Sequence, residues 1–232
     1  IEPGQMRAAG VDGVVLRGSY ATATGSRRDE RVMEYAAQLT AAGIPVVGLY
    51  HYHHPARPWR EQWETLAAVM RETGIRRGAL DLEEKTGVTS QTAADARAFM
   101  AALDEAFPRS APFHHVVYTS LGYWRDVLGR PAWGASYELW LAAWTAAAAP
   151  IVPSPWKTWT LWQYTSDGDG RGHGVSSARL DMNRFGGDRA AFGRWAAAGF
   201  APEVTVESRL WAAAQPVEWN PGVALHAAIV RD

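Results

Sequence analysis

Apolar and polar positions along the chain alternate between two periods, and the switches mark out elements. Short apolar runs bounded by Gly or Pro read as buried strands at residues 11–19 (VDGVVLRGS), 45–52 (PVVGLYHY) and 78–84 (GALDLEE). Further strands are predicted at 115–119, 138–144, 159–165 and 179–183. Between the early strands the spacing changes to one face of a helix. Val32, Tyr35, Ala36 and Leu39 predict a helix over 27–42, with Ser26 as N-cap and Gly43 as stop. Trp59, Trp63, Leu66, Ala67 and Met70 predict a second over 58–73, ended by Gly74. Ala96, Phe99, Met100, Leu103 and Phe107 predict a third over 91–107, capped by Ser90, and a last helix is expected over about 188–198.

This order implies parallel strands joined by right-handed crossovers. The later strands are separated only by loops, so the expected fold is α/β, a β/α barrel with a β-rich closure. Residues 1–199 read as the barrel. Residues 200–232, punctuated by Pro202, Pro216 and Pro221, read as a linker or the start of another module, with a short β-like run at 223–230.

Composition narrows the chemistry. The 232 residues carry a net charge of −1, which argues against nucleic acid or an anionic membrane as partner. No apolar run approaches the length of a membrane span. Without Cys there is no disulfide framework, thiol nucleophile or Cys-ligated metal. Of 12 Trp, seven fall within residues 124–162, more than a core of that size needs, so some are expected to face a ligand.

In β/α barrels the chemistry sits at the C-terminal ends of the strands. That rule selects Tyr50, Tyr52, Asp81, Glu83, Tyr118, Trp140, Trp144, Trp162, Gln163, Asp181 and Asn183. Asp81 and Glu83 are two apart on a strand, so they share a face roughly 6.6 Å apart. Mutual repulsion would hold one of them protonated, as a general acid for a glycosidic oxygen requires. Trp and Tyr present flat faces to sugar rings, while Asn, Gln and Tyr hydroxyls bind sugar hydroxyls. By itself, a D-x-E pair is a weak signal, because acidic residues often end strands as solvated caps. His51 and His53 share a face, but two ligands do not make a site, so no metal is expected. Asp167 and Asp169 lack the bidentate Glu of a calcium loop and read as a turn. No cofactor motif is present.

Seven segments add a resemblance: VVLRGSYAT, AAGIPVVGLYHYHHP, GALDLEE, VVYTS, LWLAAW, WKTWTLWQYTSDG and LDMNRFGG. In order and spacing, across about residues 5–187, they resemble glycoside hydrolase family 25 lysozymes, N-acetylmuramidases of the phage-endolysin type. The resemblance implies an irregular (β/α)5β3 barrel that cleaves the β-1,4 bond between N-acetylmuramic acid and N-acetylglucosamine in peptidoglycan. It implies Glu83 as general acid. Asp81 and Asp181 would stabilise charge and could orient the substrate acetamido group as an internal nucleophile. Tyr50, Tyr118, Trp140, Trp162 and Gln163 would line the cleft. The implied place of action is the bacterial cell wall, reached by secretion or phage delivery.

The chain departs from the family in two ways. Family members open with a G-I-D-V-S strand whose Asp joins the active site, whereas IEPGQMRAAG already matches the first helix. The first strand is therefore expected to lie upstream of Ile1, or else the 223–230 run fills its place. Tyr20 also stands where an acid is usual. These departures leave open a non-catalytic, lysozyme-like module that binds glycan in a phage or cell-surface particle.

Overall fold

A computed structural model describes residues 1–109 and 114–199, and the backbone of 226–230. Its sheet is a ring. Strands β1 (Val11–Thr22), β3 (Val46–Tyr52), β4 (Gly78–Leu82), β5 (Val116–Ser120), β6 (Glu138–Ala142) and β7 (Leu161–Asp169) run parallel in that order. Strand β8 (Arg179–Phe185) returns antiparallel to β7. Strand β9 (His226–Val230) pairs antiparallel with β8 and parallel with β1, and this closes the barrel. A short arm, β2 (Gly25–Arg28), folds back on the end of β1.

The closure shows what occupies the first-strand slot. The slot between β8 and β1 is filled by residues 226–230, within the run 223–230. This segment is thus part of the barrel sheet. The physical reason is edge pairing: without it, β1 and β8 would each present unpaired N–H and C=O groups.

Helices α1 (Pro3–Ala8), α2 (Val32–Ala41), α3 (Trp59–Thr73) and α4 (Thr92–Ala106) accompany the first half of the ring. Two starts differ from expectation. Ser26 does not cap α2, because residues 25–28 form the β2 arm and the Ser26 N–H donates to Glu61 Oε1 at 2.9 Å. Ser90 does not cap α4, whose N-cap is Gln91; there the Thr89 N–H donates to Thr92 Oγ1 at 3.0 Å. The stops at Gly43 and Gly74 hold, with φ of +66° and +72° that favour glycine.

Strict alternation divides the core in two. Leu16, Leu49, Leu66, Met70, Leu80, Leu82, Phe99 and Leu103 pack between strands and helices. Val15, Val47, Tyr50, Ala79, Val116, Tyr118, Trp140 and Leu161 fill the barrel interior. All five residues of β4 are buried, as expected for a strand covered on both faces.

The floor of the barrel is sealed by α5 (Arg189–Ala198), whose Phe192 and Trp195 join the interior cluster. Asp188 caps this helix, accepting from the Ala191 N–H at 2.7 Å. Buried Arg77 donates to the carbonyls of Val47 (2.9 Å), Trp195 (2.7 Å) and His114 (3.3 Å). Its guanidinium lies 3.9 Å from the Trp195 ring centroid, and the Trp195 indole donates to Glu138 Oε2 at 2.6 Å. Burial pushes the Glu138 carboxyl up to about 7, against the opposing pull of Arg77 and the indole hydrogen bond. Burial likewise lowers Arg77 to about 10.

Much of the Trp-rich stretch proves to be packing. Trp124 stacks on Trp133 (5.2 Å) and Trp156 (4.4 Å), and its indole donates to the Ser154 carbonyl at 3.0 Å. Trp59, Trp63, Trp133 and Trp159 pack, partly buried, against the outer core.

Candidate active site

The C-terminal ends of the parallel strands bring one rung of side chains to the barrel mouth. Register places Tyr20 of β1, Tyr52 of β3, Asp81 of β4, Tyr118 of β5 and Trp140 of β6 side by side. Neighbouring strands lie about 4.8 Å apart, so this rung is a continuous wall of aromatic groups around one carboxylate. β4 ends at Leu82, so Glu83 and Glu84 stand on the loop just beyond it.

Tyr118 joins the two halves of the mouth. Its hydroxyl lies 3.1 Å from Gln163 Oε1 and 3.5 Å from Glu83 Oε2. Gln163 Oε1 also accepts from the Trp144 indole at 3.1 Å. Trp140 packs edge-on against Tyr118 (4.9 Å) and Tyr50 (6.1 Å), and its indole donates to Asn183 Oδ1 at 2.7 Å. Gln163 and Asn183 face each other across the β7–β8 ladder, and Asp181 lies two residues before Asn183 on the same face. Because β8 runs antiparallel, its beginning rather than its end stands at the mouth, which brings Asp181 there. Asp81 and Asp181 are 2% and 3% exposed, so neither carboxyl is a solvated strand end.

The negative charge shows in neighbouring hydroxyls. Tyr52 is held well above the ordinary phenol range, first by burial and then by Glu84, Glu83 and Asp81. Tyr123 is raised by burial and by the same three carboxylates. The mouth therefore concentrates acids within electrostatic reach of one another.

Not every expected residue joins this wall. Trp162 stands on the opposite face of β7 from Leu161 and Gln163, because successive side chains alternate. Its indole donates to the Ala143 carbonyl at 2.7 Å, and Arg184 stacks 5.1 Å from its ring. Trp144 lies beyond β6 and is 67% exposed, open to a ligand. His51 faces the helices: its ring nitrogens engage Ser19 Oγ (2.8 Å) and Gln62 Oε1 (3.0 Å), a packing role. Asp167 lies within β7 rather than in a turn; the turn begins after Asp169, whose Oδ1 accepts from the Gly172 N–H at 2.9 Å.

The residue pattern alone missed two contributors. Glu84 accepts from the Tyr52 hydroxyl (3.0 Å) and the Thr86 N–H (2.6 Å). Tyr123 donates to the Glu84 carbonyl at 2.8 Å and pins the acidic loop. Tyr123 lies in a π-helical turn after β5, which has no recognisable period.

The family model of glycosyl hydrolases family 25 matches residues 2–173. The chain belongs to this family. Solved family 25 relatives share its fold. A bacterial lysozyme from Streptomyces coelicolor superposes with a TM-score of 0.64 at 26% identity, over 86% of this chain and 91% of that one. The family 25 lysozyme from Aspergillus fumigatus gives 0.66 at 22% identity, over 87% and 93%. Lysozyme M1 of Streptomyces globisporus is 40% identical over 78 residues, 32% of this chain. That match spans 24% of the relative's own length. The irregular β/α barrel expected from the sequence is therefore the family 25 fold, with its closing strand drawn from residues 226–230.

Proposed function

We propose that this chain is a peptidoglycan hydrolase that cleaves the β-1,4 bond between N-acetylmuramic acid and N-acetylglucosamine. The observation that carries this reading is the mouth rung, with Asp81 set between Tyr52 and Tyr118 and the Tyr118 hydroxyl reaching towards Glu83. The catalytic unit is the barrel of residues 1–199 together with strand 226–230.

Glu83 acts as general acid. Standing just past β4, it is less enclosed than Asp81 and can reach a glycosidic oxygen in the cleft. Protonating that oxygen lets the bond break, while positive charge develops on the sugar ring. Asp81 and Asp181, both on the interior face, stabilise that charge. They also orient the acetamido group, whose oxygen can close on the anomeric carbon as internal nucleophile. Half-buried Tyr52 and exposed Trp144 offer stacking faces, and buried Tyr50, Tyr118, Trp140, Gln163 and Asn183 line and support the cleft from beneath. No metal or cofactor enters this scheme. The place of action is the bacterial cell wall, for a secreted or phage-delivered protein.

One observation favours a second reading, a glycan-binding module without turnover: the segment 226–230 (HAAIV) in the first-strand slot carries no aspartate. Release of reducing ends from purified peptidoglycan separates the two. Turnover is expected, and Glu83→Gln should lower it by about 10²–10⁴-fold while glycan binding persists. Full turnover in Glu83→Gln would remove Glu83 from its role. Binding by the wild type with no reducing ends released would establish the second reading.

A further inference from the structure

Beside the carboxylates lies a cavity of about 240 Å³, lined by Arg17, Tyr20, Ala21, Thr22, Tyr50 and Tyr52. Arg17 is the cation of this wall. Register sets it against Tyr50, on the same face of the sheet as the mouth rung. Its Nε donates to Asp29 Oδ2 at 2.7 Å, and its guanidinium lies 4.9 Å from the Tyr20 ring centroid. Asp29 is itself fixed: it is 8% exposed, and its Oδ1 accepts from the Arg31 N–H at 3.0 Å. The guanidinium is thus held by one edge and by one face. Its two terminal nitrogens carry no hydrogen bond among the described residues, and the side chain is 26% exposed.

A guanidinium fixed in this way presents two parallel N–H donors, the geometry that matches a carboxylate. Its setting sharpens the choice. Tyr50 and Tyr52 form a shared wall between the cavity and the acids, and Tyr52 senses Asp81, Glu83 and Glu84. Among the residues lining the cavity, Arg17 is the charged group that attracts an anionic substituent of a glycan, whereas the neighbouring carboxylates repel it. Tyr20 and Asp81 are two strands apart, about 10 Å, so a group in the cavity belongs to a saccharide close to the scissile bond.

We propose that Arg17, with Tyr20 and Tyr52, forms a subsite for a carboxylate borne by the glycan, and that this contact sets which saccharide lies over Glu83. The proposal rests on the muramidase reading. The carboxylate has two sources, the free lactyl group of a muramyl residue or an acidic group of its peptide stem.

The test compares kcat/KM and Kd for matched glycan strands: stem-free strands with free lactyl carboxylates, the same strands converted to carboxamides, and stem-bearing strands with free or amidated stem carboxyls. The wild type should favour the carboxylate over its carboxamide by about tenfold in one of the two pairs, and that pair identifies the source. In Arg17→Gln/Asp29→Asn the ratio should fall to about one. The double substitution avoids leaving Asp29 as a buried, unpaired charge. If that variant does not fold, the salt dependence of the wild-type ratio decides: it must shrink as ionic strength rises. Equal handling of carboxylate and carboxamide by the wild type overturns the subsite while leaving the muramidase reading intact. So does a preference that survives in the double variant or is indifferent to salt. Loss of all turnover would fail the muramidase reading instead, and the Kd ratios would still test the subsite.

Discussion

Replacing Glu138 with Gln should change how the stability of the barrel depends on pH. Glu138 opens β6 at the barrel floor, where it is largely enclosed and accepts the Trp195 indole N–H at 2.6 Å. Its carboxyl titrates near 7 in the folded chain against an ordinary value of 4.5. Between those two values the folded state binds the proton more tightly than the unfolded state does. Stability is therefore greatest below about pH 4.5 and falls as the pH rises towards 7. At 1.36 kcal/mol per pH unit, the whole span is worth about 3 kcal/mol. For a chain of this size that corresponds to roughly 6–12 °C in Tm. Gln keeps an oxygen acceptor for Trp195 and cannot ionise, so the variant should lack this component. The assay is urea unfolding at pH 5, 6, 7 and 8 for both proteins. The wild type minus variant difference should move by about 2.5 kcal/mol against the wild type across that range, since part of the span is already lost at pH 5. Parallel stability profiles would refute the reasoning, since they would mean that Arg77 and the indole keep Glu138 ionised throughout.

Other outcomes follow from the same structure. Asn183→Leu removes the acceptor of the Trp140 indole. It should cost about 1–3 kcal/mol in urea unfolding and lower kcat/KM on peptidoglycan, because Trp140 supports Tyr118. Gly134→Ala would set a Cβ 2.5 Å from Trp124 Cζ2 and 2.9 Å from Trp156 Cη2. This should destabilise by about 1–3 kcal/mol, read as a lowered Tm. Ending the chain at residue 199 strips β1 and β8 of their shared partner. Size-exclusion chromatography should then show self-association, and unfolding should lose cooperativity.

Local signals carried most of the fold. The parallel half was legible because each strand is a short apolar run closed by Gly or Pro and each helix shows a single apolar stripe. Boundaries failed where a second interaction competed. Residues 25–28 have no strand-like alternation, yet they pair with the end of β1, and Glu61 holds their backbone. A strand-end rule ignores which face a residue occupies, and alternation places Trp162 on the face of β7 opposite Gln163. The excess of Trp suggested ligand contact, whereas Trp124, Trp133 and Trp156 pack on one another, a pairing that no spacing reveals.

The sequence by itself determined the residue types at the mouth. Period-two alternation forces Asp81 to share a face with Ala79, and the register of parallel strands then lines up Tyr52, Asp81, Tyr118 and Trp140. It also determined the family, through seven segments in order. Only the tertiary structure decided how the ring closes. Pairing of residues 226–230 joins them to β1, about 215 positions earlier, and to β8, about 45 positions earlier, and nothing local specifies such contacts. The same holds for the site's long-range geometry: Asp181 reaches the mouth because β8 runs antiparallel, and Arg17 faces a cavity because Asp29 and Tyr20 hold its guanidinium there. Side-chain chemistry is written residue by residue, but the distances between those residues are set by packing across the whole barrel.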